Sequence, residues 1–249
     1  MDWLIGMPAT LSVPPMLGTM EPVRAVDLNA DLGEEVTDDA GLLAVVTSAN
    51  VACGYHAGSL AIMREVCAEA VRRGVAVGAQ VSYADRPHFG RVELDVPPET
   101  LREQVADQVG ALAGVAAEEG TAVGYVKPHG ALYHRTRTDA VQARAVLDGS
   151  GSLPVLGMPG ELLAQAQAAG RETWLEGFPD RAYDGDRLRP RDQPGALVEE
   201  EADIVAHALE LAPRVASLCL HGDSPGAVRH AHAVRVALEG AGWTLRPLA

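Results

Sequence analysis

The sequence predicts a closed parallel β/α barrel, on two observations. Short apolar runs alternate with amphipathic stretches, and no internal repeat, low-complexity block or long linker interrupts them after residue 20. Seven strands each feeding a helix imply parallel pairing, because such alternation builds right-handed βαβ crossovers. Polar residues also close nearly every strand at its C-terminal end. In a barrel those ends converge on one mouth. In a doubly wound open sheet, the competing architecture, they would spread along an edge and gather only at the switch point.

The first strand, read at 25–29, continues into Asp27, Asn29 and Asp31, alternate positions that share one face while the chain stays extended. The second, at 50–54, starts at Asn50 and ends in Cys53, Tyr55 and His56; the third, at 75–80, ends in Gln80. The fourth, at 121–127, stops at Lys127 and His129, with Pro128 stiffening the exit and Gly130 permitting an unusual turn. The fifth spans 153–158, the sixth 172–177 with Glu176, and the seventh 215–220 ahead of His221 and Asp223. Helices are expected over 40–48, 59–73, 98–119, 139–147, 160–169, 198–211 and 225–239. Gly74, Gly120, Gly170 and Gly240 fall just past helices, where a left-handed cap needs no Cβ. Pro98 and Pro225 sit near helix starts, where a missing N–H costs little.

Residues 1–20, MDWLIGMPATLSVPPMLGTM, have no Lys or Arg ahead of their apolar part and are broken by prolines. They make a poor signal peptide and read as a disordered extension or an upstream start, leaving 21–249 as one barrel domain. A balance of 34 acidic against 20 basic residues gives −14, which disfavours nucleic acid and anionic membrane as partners. No apolar run reaches the roughly 20 residues of a membrane span. Three cysteines without paired spacing suit a reducing cytoplasm.

Several stretches carry chemistry. Carboxylates at a strand end, as in VDLNADLGEE, serve as metal ligands or bases, or orient other groups. A lysine taken partly out of water stabilises developing negative charge or binds carboxylate or phosphate. Histidine moves protons near neutral pH. The loop EGFPDRAYDGDRLRPRDQPGA places Arg181, Arg187, Arg189 and Arg191 in an otherwise acidic chain, which suggests an anionic ligand. Walker A and GxGxxG are both absent, so the chain shows no nucleotide cradle of a familiar kind.

Taken together, DLNADLGE, TSANVACGYHAG, FGR, VKPHGALY, DRAY followed by DG, and HGDSPGAV resemble the LamB/YcsF family, in family order from Val26 to Trp243. The resemblance implies a (β/α)₇ barrel of the glycoside hydrolase/deacetylase type. It also implies ATP-dependent opening of the lactam 5-oxo-L-proline to L-glutamate, with Mg²⁺ and ATP as co-substrate and with B and C subunits of a 5-oxoprolinase as partners. Lactam utilisation and carbohydrate metabolism are the processes it suggests, and assembly with further copies is compatible. The matching positions are Asp27, Asn29, Asp31, Glu34, Asn50, His56, Lys127, His129, Arg181, His221 and Asp223.

From these we expect Asp31, Lys127 and His129 to be catalytic. Asp27, Asn29, Asn50, His56, Gln80, Arg181, His221 and Asp223 are expected to bind substrate. Asp31, His56 and His129 are the expected ligands should a metal be used. The alternatives are a metal-dependent deacetylase-like amide hydrolase and a non-catalytic paralogue. Four departures bear on the choice. The segment EEVTDDAG is short, Ser59 replaces an acid in HAGS, Val92 replaces an arginine in FGRV, and Gln80 stands in GAQV where the family has histidine. Glutamine cannot be protonated near neutrality and is a weak metal ligand.

Overall fold

The computed structural model describes residues 24–248 apart from 37, 192, 224 and 225. The expected extension over 1–20 lies outside them, as do Ser224 and Pro225 at the expected start of the last helix. The chain runs β1 (Ala25–Leu32), α1 (Asp39–Leu43), β2 (Ser48–Ala52), α2 (Leu60–Arg73), β3 (Ala76–Val81), α3 (Pro98–Glu118), β4 (Val123–Pro128), α4 (Gly130–Arg135) and α5 (Ala140–Gly149). It continues through β5 (Val155–Gly157), α6 (Glu161–Ala168), β6 (Thr173–Gly177), β7 (Tyr183–Asp184), β8 (Arg187–Leu188), α7 (Glu201–Leu211), β9 (Ser217–Leu220), α8 (Ala227–Gly240) and β10 (Thr244–Leu245).

Strands β1 to β6 and then β9 pair in that order, all parallel, and β9 closes back on β1 through Asp27 opposite Ser217. The result is a closed barrel of seven strands, as the alternation predicts. Its outer face is apolar. Val26, Leu28, Ala30 and Leu32 of β1 are buried against the helical ring, and α3 returns a stripe of Leu101, Val105, Leu112 and Val115 at helical spacing.

The barrel interior is polar. Asp27, Asn29 and Asp31 all point inward and are buried, so the alternation in VDLNADL is real. Gly78 makes room for a large neighbour across the strand pair: a Cβ there would lie 2.2 Å from the Tyr125 ring. The Tyr125 hydroxyl then donates to Asn50 Oδ1 at 2.6 Å. Asp27, Asn29, Asp31 and Asn50 survive here because each finds a partner, as buried polar groups generally do.

Several expected boundaries move. The helix expected over 40–48 is only Asp39–Leu43, because Ser48 already belongs to β2, two residues earlier than expected. Gly240 ends α8 without a left-handed turn; Gly242 adopts φ +84 instead. The arginine-rich loop contains an antiparallel β7–β8 hairpin, and β10 adds to the start of β1. Pro98 does open α3, and Gly74 caps α2 at φ +68.

Asp27 sits at the closed end of the barrel, away from the mouth. It accepts hydrogen bonds from Thr47 Oγ1 and Ser48 Oγ, both at 2.6 Å, and from the Ser217 hydroxyl. Burial nevertheless pushes its carboxyl up to about 6. A carboxyl that ionises less readily folded than unfolded contributes stability that is lost as pH rises through the interval between its unfolded and folded pKa values. Between pH 4 and 7, wild type should therefore lose on the order of 2–3 kcal/mol relative to Asp27→Asn. Urea denaturation of both proteins across that range checks this; a difference independent of pH would refute it.

Candidate active site

Lys127, at the end of β4, forms the floor of the mouth. Its Nζ lies 2.6 Å from Glu176 Oε1 and 3.2 Å from Asp31 Oδ1, with Cys219 Sγ at 3.1 Å. Around this cluster Asn50 Nδ2 donates to Asp31 Oδ1 at 2.9 Å and to Asn29 Oδ1 at 2.6 Å. Asn29 Nδ2 reaches Glu176 Oε1 at 3.2 Å, and the Tyr133 hydroxyl reaches Glu176 Oε2 at 3.1 Å. Burial opposes the charge on Lys127, but Asp31 and Glu176 outweigh it and hold its pKa well above the ordinary value. Burial would likewise raise the Asp31 carboxyl, yet Lys127 holds it well below the usual range. Burial raises Glu176, against the pull of Lys127. The lysine is thus a fixed positive charge held in place by carboxylates, not a proton donor.

A shelf of two histidines lies above the floor. His56 and His129 stack with ring centroids 4.1 Å apart and planes 14° apart. Gln80 Nε2 lies 3.0 Å from Glu34 Oε1 and 2.9 Å from His129 Nδ1, so one amide serves a carboxylate and a ring nitrogen at once. His129 Nε2 faces the Phe89 carbonyl at 3.1 Å. That pattern makes Nε2 the protonated nitrogen and leaves both nitrogens engaged. Burial, then the neighbouring His129, lowers the pKa of His56, so it is neutral. Its two ring nitrogens have no hydrogen-bond partner among the described residues.

Glu34, His56 and His129 offer ligand atoms within 4.8 Å of one another, which makes them the natural place to test for a metal. Glu34, not the expected Asp31, completes this trio, because Asp31 is committed to Lys127. The arrangement does not fit a cation. Imidazole lone pairs lie in the ring plane, so two rings stacked face to face do not converge on one ion. The Gln80 amide hydrogens also occupy the His129 nitrogen that would bind. Gln80→His removes that amide and puts an imidazole between Glu34 and His129, a trio that does not need the stacked His56, and it should bind one zinc per chain, at least ~10-fold tighter than wild type. Zinc titration by calorimetry checks this; equal stoichiometric binding by wild type would contradict the argument.

The mouth opens into a cavity of about 640 Å³, lined among others by Asp31, Lys127, His129, Tyr133, Phe178 and His221. Its rim is cationic. Arg91 and Arg191 both reach Asp223 Oδ2, at 2.5 and 3.2 Å. Burial works against ionisation of Asp223, but these arginines keep its carboxyl below the ordinary value. One carboxylate against two guanidiniums leaves net positive charge at the opening. Arg181 is buried, donates to the carbonyls of Ala196 at 3.2 Å and Arg189 at 2.6 Å, and braces the hairpin loop. Burial, with Arg191 nearby, lowers its pKa to about 10, so it stays charged at neutral pH.

Of the expected site residues, Asp31, Lys127, His129, Arg181 and His221 line the cavity, and Asp223 pairs with its arginine rim. His56 and Gln80 stand directly behind His129. Asp27, Asn29 and Asn50 lie deeper in the barrel, where they organise the floor instead of facing the cavity. Ser59 is the N-cap of α2 and accepts from the Ile62 N–H, and Val92 is 42% exposed. Three contributors were missed as site residues: Glu176, Tyr133 and Asp180. Glu176 carried a signal as the polar closure of its strand. Asp180 carried one only as the neighbour of Arg181.

A parallel barrel with a lysine–carboxylate floor, under a cavity built from its strand ends, has the form of a barrel hydrolase. The chain belongs to the LamB/YcsF family, whose profile matches residues 26–249. A relative from Streptomyces avermitilis, named as the A component of 5-oxoprolinase, is 51% identical over 242 residues, covering 87% of this chain and 97% of the relative. One of the same name from Mycobacterium marinum is 44% identical over 246 residues, covering 89% and 98%. Among solved structures, a lactam utilization protein from Thermus thermophilus superposes with TM-score 0.84 at 35% identity, over 90% of this chain and 100% of its own. A family 4 carbohydrate esterase from Streptomyces lividans, at TM-score 0.54 and 14% identity over 90% and 93%, shares the fold alone.

Proposed function

We propose that the chain opens the lactam of 5-oxo-L-proline to L-glutamate as the A component of a 5-oxoprolinase. The observation that carries this reading is the buried Lys127 charge at the floor of a cavity with a cationic rim. It is supported by relatives bearing the 5-oxoprolinase name and by likeness to a lactam utilization protein. A lactam is a resonance-stabilised amide, so its carbonyl carbon resists water. Phosphorylation of the carbonyl oxygen at the expense of ATP, supplied as its Mg²⁺ complex, makes that oxygen a good leaving group, with ADP and phosphate as further products. Subunits B and C complete the enzyme, in the cytoplasm, in keeping with three buried free thiols.

In this chain the substrate carboxylate meets the Arg91 and Arg191 rim. Lys127 faces the carbonyl or phosphoryl oxygen, where a preorganised charge acts on what develops in the transition state. Asp31 holds the lysine in place. His129, with both nitrogens engaged, serves to shape the wall and does not relay protons to the substrate.

The test is glutamate release from 5-oxoproline, with and without ATP and subunits B and C. Release that requires all of them is expected; none from the full mixture would overturn the reading. Chelator-sensitive amide hydrolysis without ATP would favour a deacetylase-like enzyme instead. Binding without conversion would favour a non-catalytic paralogue.

A further inference from the structure

We infer that His221, oriented by Asp180, is the group that moves the proton during lactam opening. The inference rests on the lactam-opening reading and assigns the acid–base role that His129 cannot fill. His221 directly follows β9, two residues after Cys219, so both side chains face inward. Cys219 Sγ touches Lys127 Nζ at 3.1 Å. The Phe178 ring stacks on His221 with centroids 5.4 Å apart and planes 17° apart, and lies 5.4 Å from Lys127 Nζ. His221 therefore stands one layer above the fixed charge, on the cavity wall.

Its ring is held by one residue. Nδ1 lies 2.9 and 3.1 Å from the two Asp180 carboxylate oxygens, and the His221 backbone N–H donates to Asp180 Oδ2 at 2.8 Å. Burial would raise the Asp180 carboxyl, but its charge attraction to His221 and these hydrogen bonds keep it below the ordinary value. An ionised acceptor at Nδ1 fixes the proton there and turns a lone pair at Nε2 toward the cavity. No described residue hydrogen-bonds Nε2. The competitors lack this arrangement. His129 has both nitrogens engaged, His56 sits behind it, and His134 is pushed down to about 4 by burial and then by Arg181.

In the step itself, water oxygen bonds to the lactam carbonyl carbon while one water proton passes to Nε2. As the C–N bond breaks, that proton goes to the departing nitrogen, which restores the imidazole and leaves the new carboxyl group as an acyl phosphate. A second water then displaces phosphate, so two waters are consumed for each glutamate, ADP and phosphate formed.

Two readouts test the pair. In the intact chain, ¹⁵N spectra at neutral pH should show His221 protonated at Nδ1 and bare at Nε2, and Asp180→Asn should abolish that preference. With subunits B and C, His221→Gln should cut kcat at least ~100-fold with an unchanged melting midpoint. Asp180→Asn should lower kcat with little change in KM. An Nε2–H tautomer in wild type, or His221→Gln turnover within about threefold of wild type, would overturn the assignment. Wild type that releases no glutamate sinks the lactam reading instead, and the spectra still decide whether the pair exists.

Discussion

Lys127→Met should abolish 5-oxoproline turnover, with a loss of at least ~10³-fold in kcat, at the upper end of what one oxyanion donor supplies. Methionine keeps the unbranched stem and the packing under Phe178, so the change removes the charge and little else. It leaves Asp31 and Glu176 facing one another in the barrel, where Nζ now lies 3.2 and 2.6 Å from them. Breaking a buried pair in this way costs about 3–5 kcal/mol, because a buried carboxylate is left without its countercharge. Lys127→Arg should not restore activity: a planar fork does not fit where a compact ammonium touches two carboxylates and a thiol. Glutamate release by the reconstituted enzyme and urea denaturation of the chain check the two halves. Turnover within tenfold of wild type would remove Lys127 from the chemistry, whatever the stability shows.

The sequence made the floor of this site more legible than its walls. Alternation in VDLNADL placed Asp27, Asn29 and Asp31 on one inward face, because strand periodicity is local. It could not say at which height each lies, since height depends on register: Asp27 is level with Ser217, and Asp31 with Asn50. For that reason three residues expected to touch substrate instead organise the barrel interior. Glu34 drew no role from the sequence beyond its matching position, for a related cause. The chain turns at Gly33, φ +72, and carries Glu34 to the histidine shelf, away from Lys127. Asp180 meets His221 across 41 residues, a closeness set by the β6 and β9 pairing and invisible to spacing. The short α4 escaped notice because Pro128, His129 and Gly130 read as a turn, whereas Pro128 ends β4, His129 is the extended N-cap and Gly130 already opens the helix.

Gly130→Ala is the second large effect, and it reaches the site through the backbone. Gly130 adopts φ +60 at the junction of β4 and α4. A Cβ there would lie 2.3 Å from the Gly90 carbonyl oxygen and 3.0 Å from its carbon. That same oxygen accepts the Ala131 N–H at 2.9 Å, so the contact cannot relax without separating two loops. The loop pushed away carries Phe89, whose carbonyl faces His129 Nε2, and Arg91, which faces Asp223. The left-handed backbone and the clash with main chain together should cost about 2–4 kcal/mol. Because His129 and the arginine rim move with that loop, KM for 5-oxoproline should rise more than tenfold even where the protein stays folded. Melting midpoints and KM measured on the same preparation separate the two effects. A variant with wild-type KM would show that the Gly90–Gly130 contact shapes the fold without shaping the site.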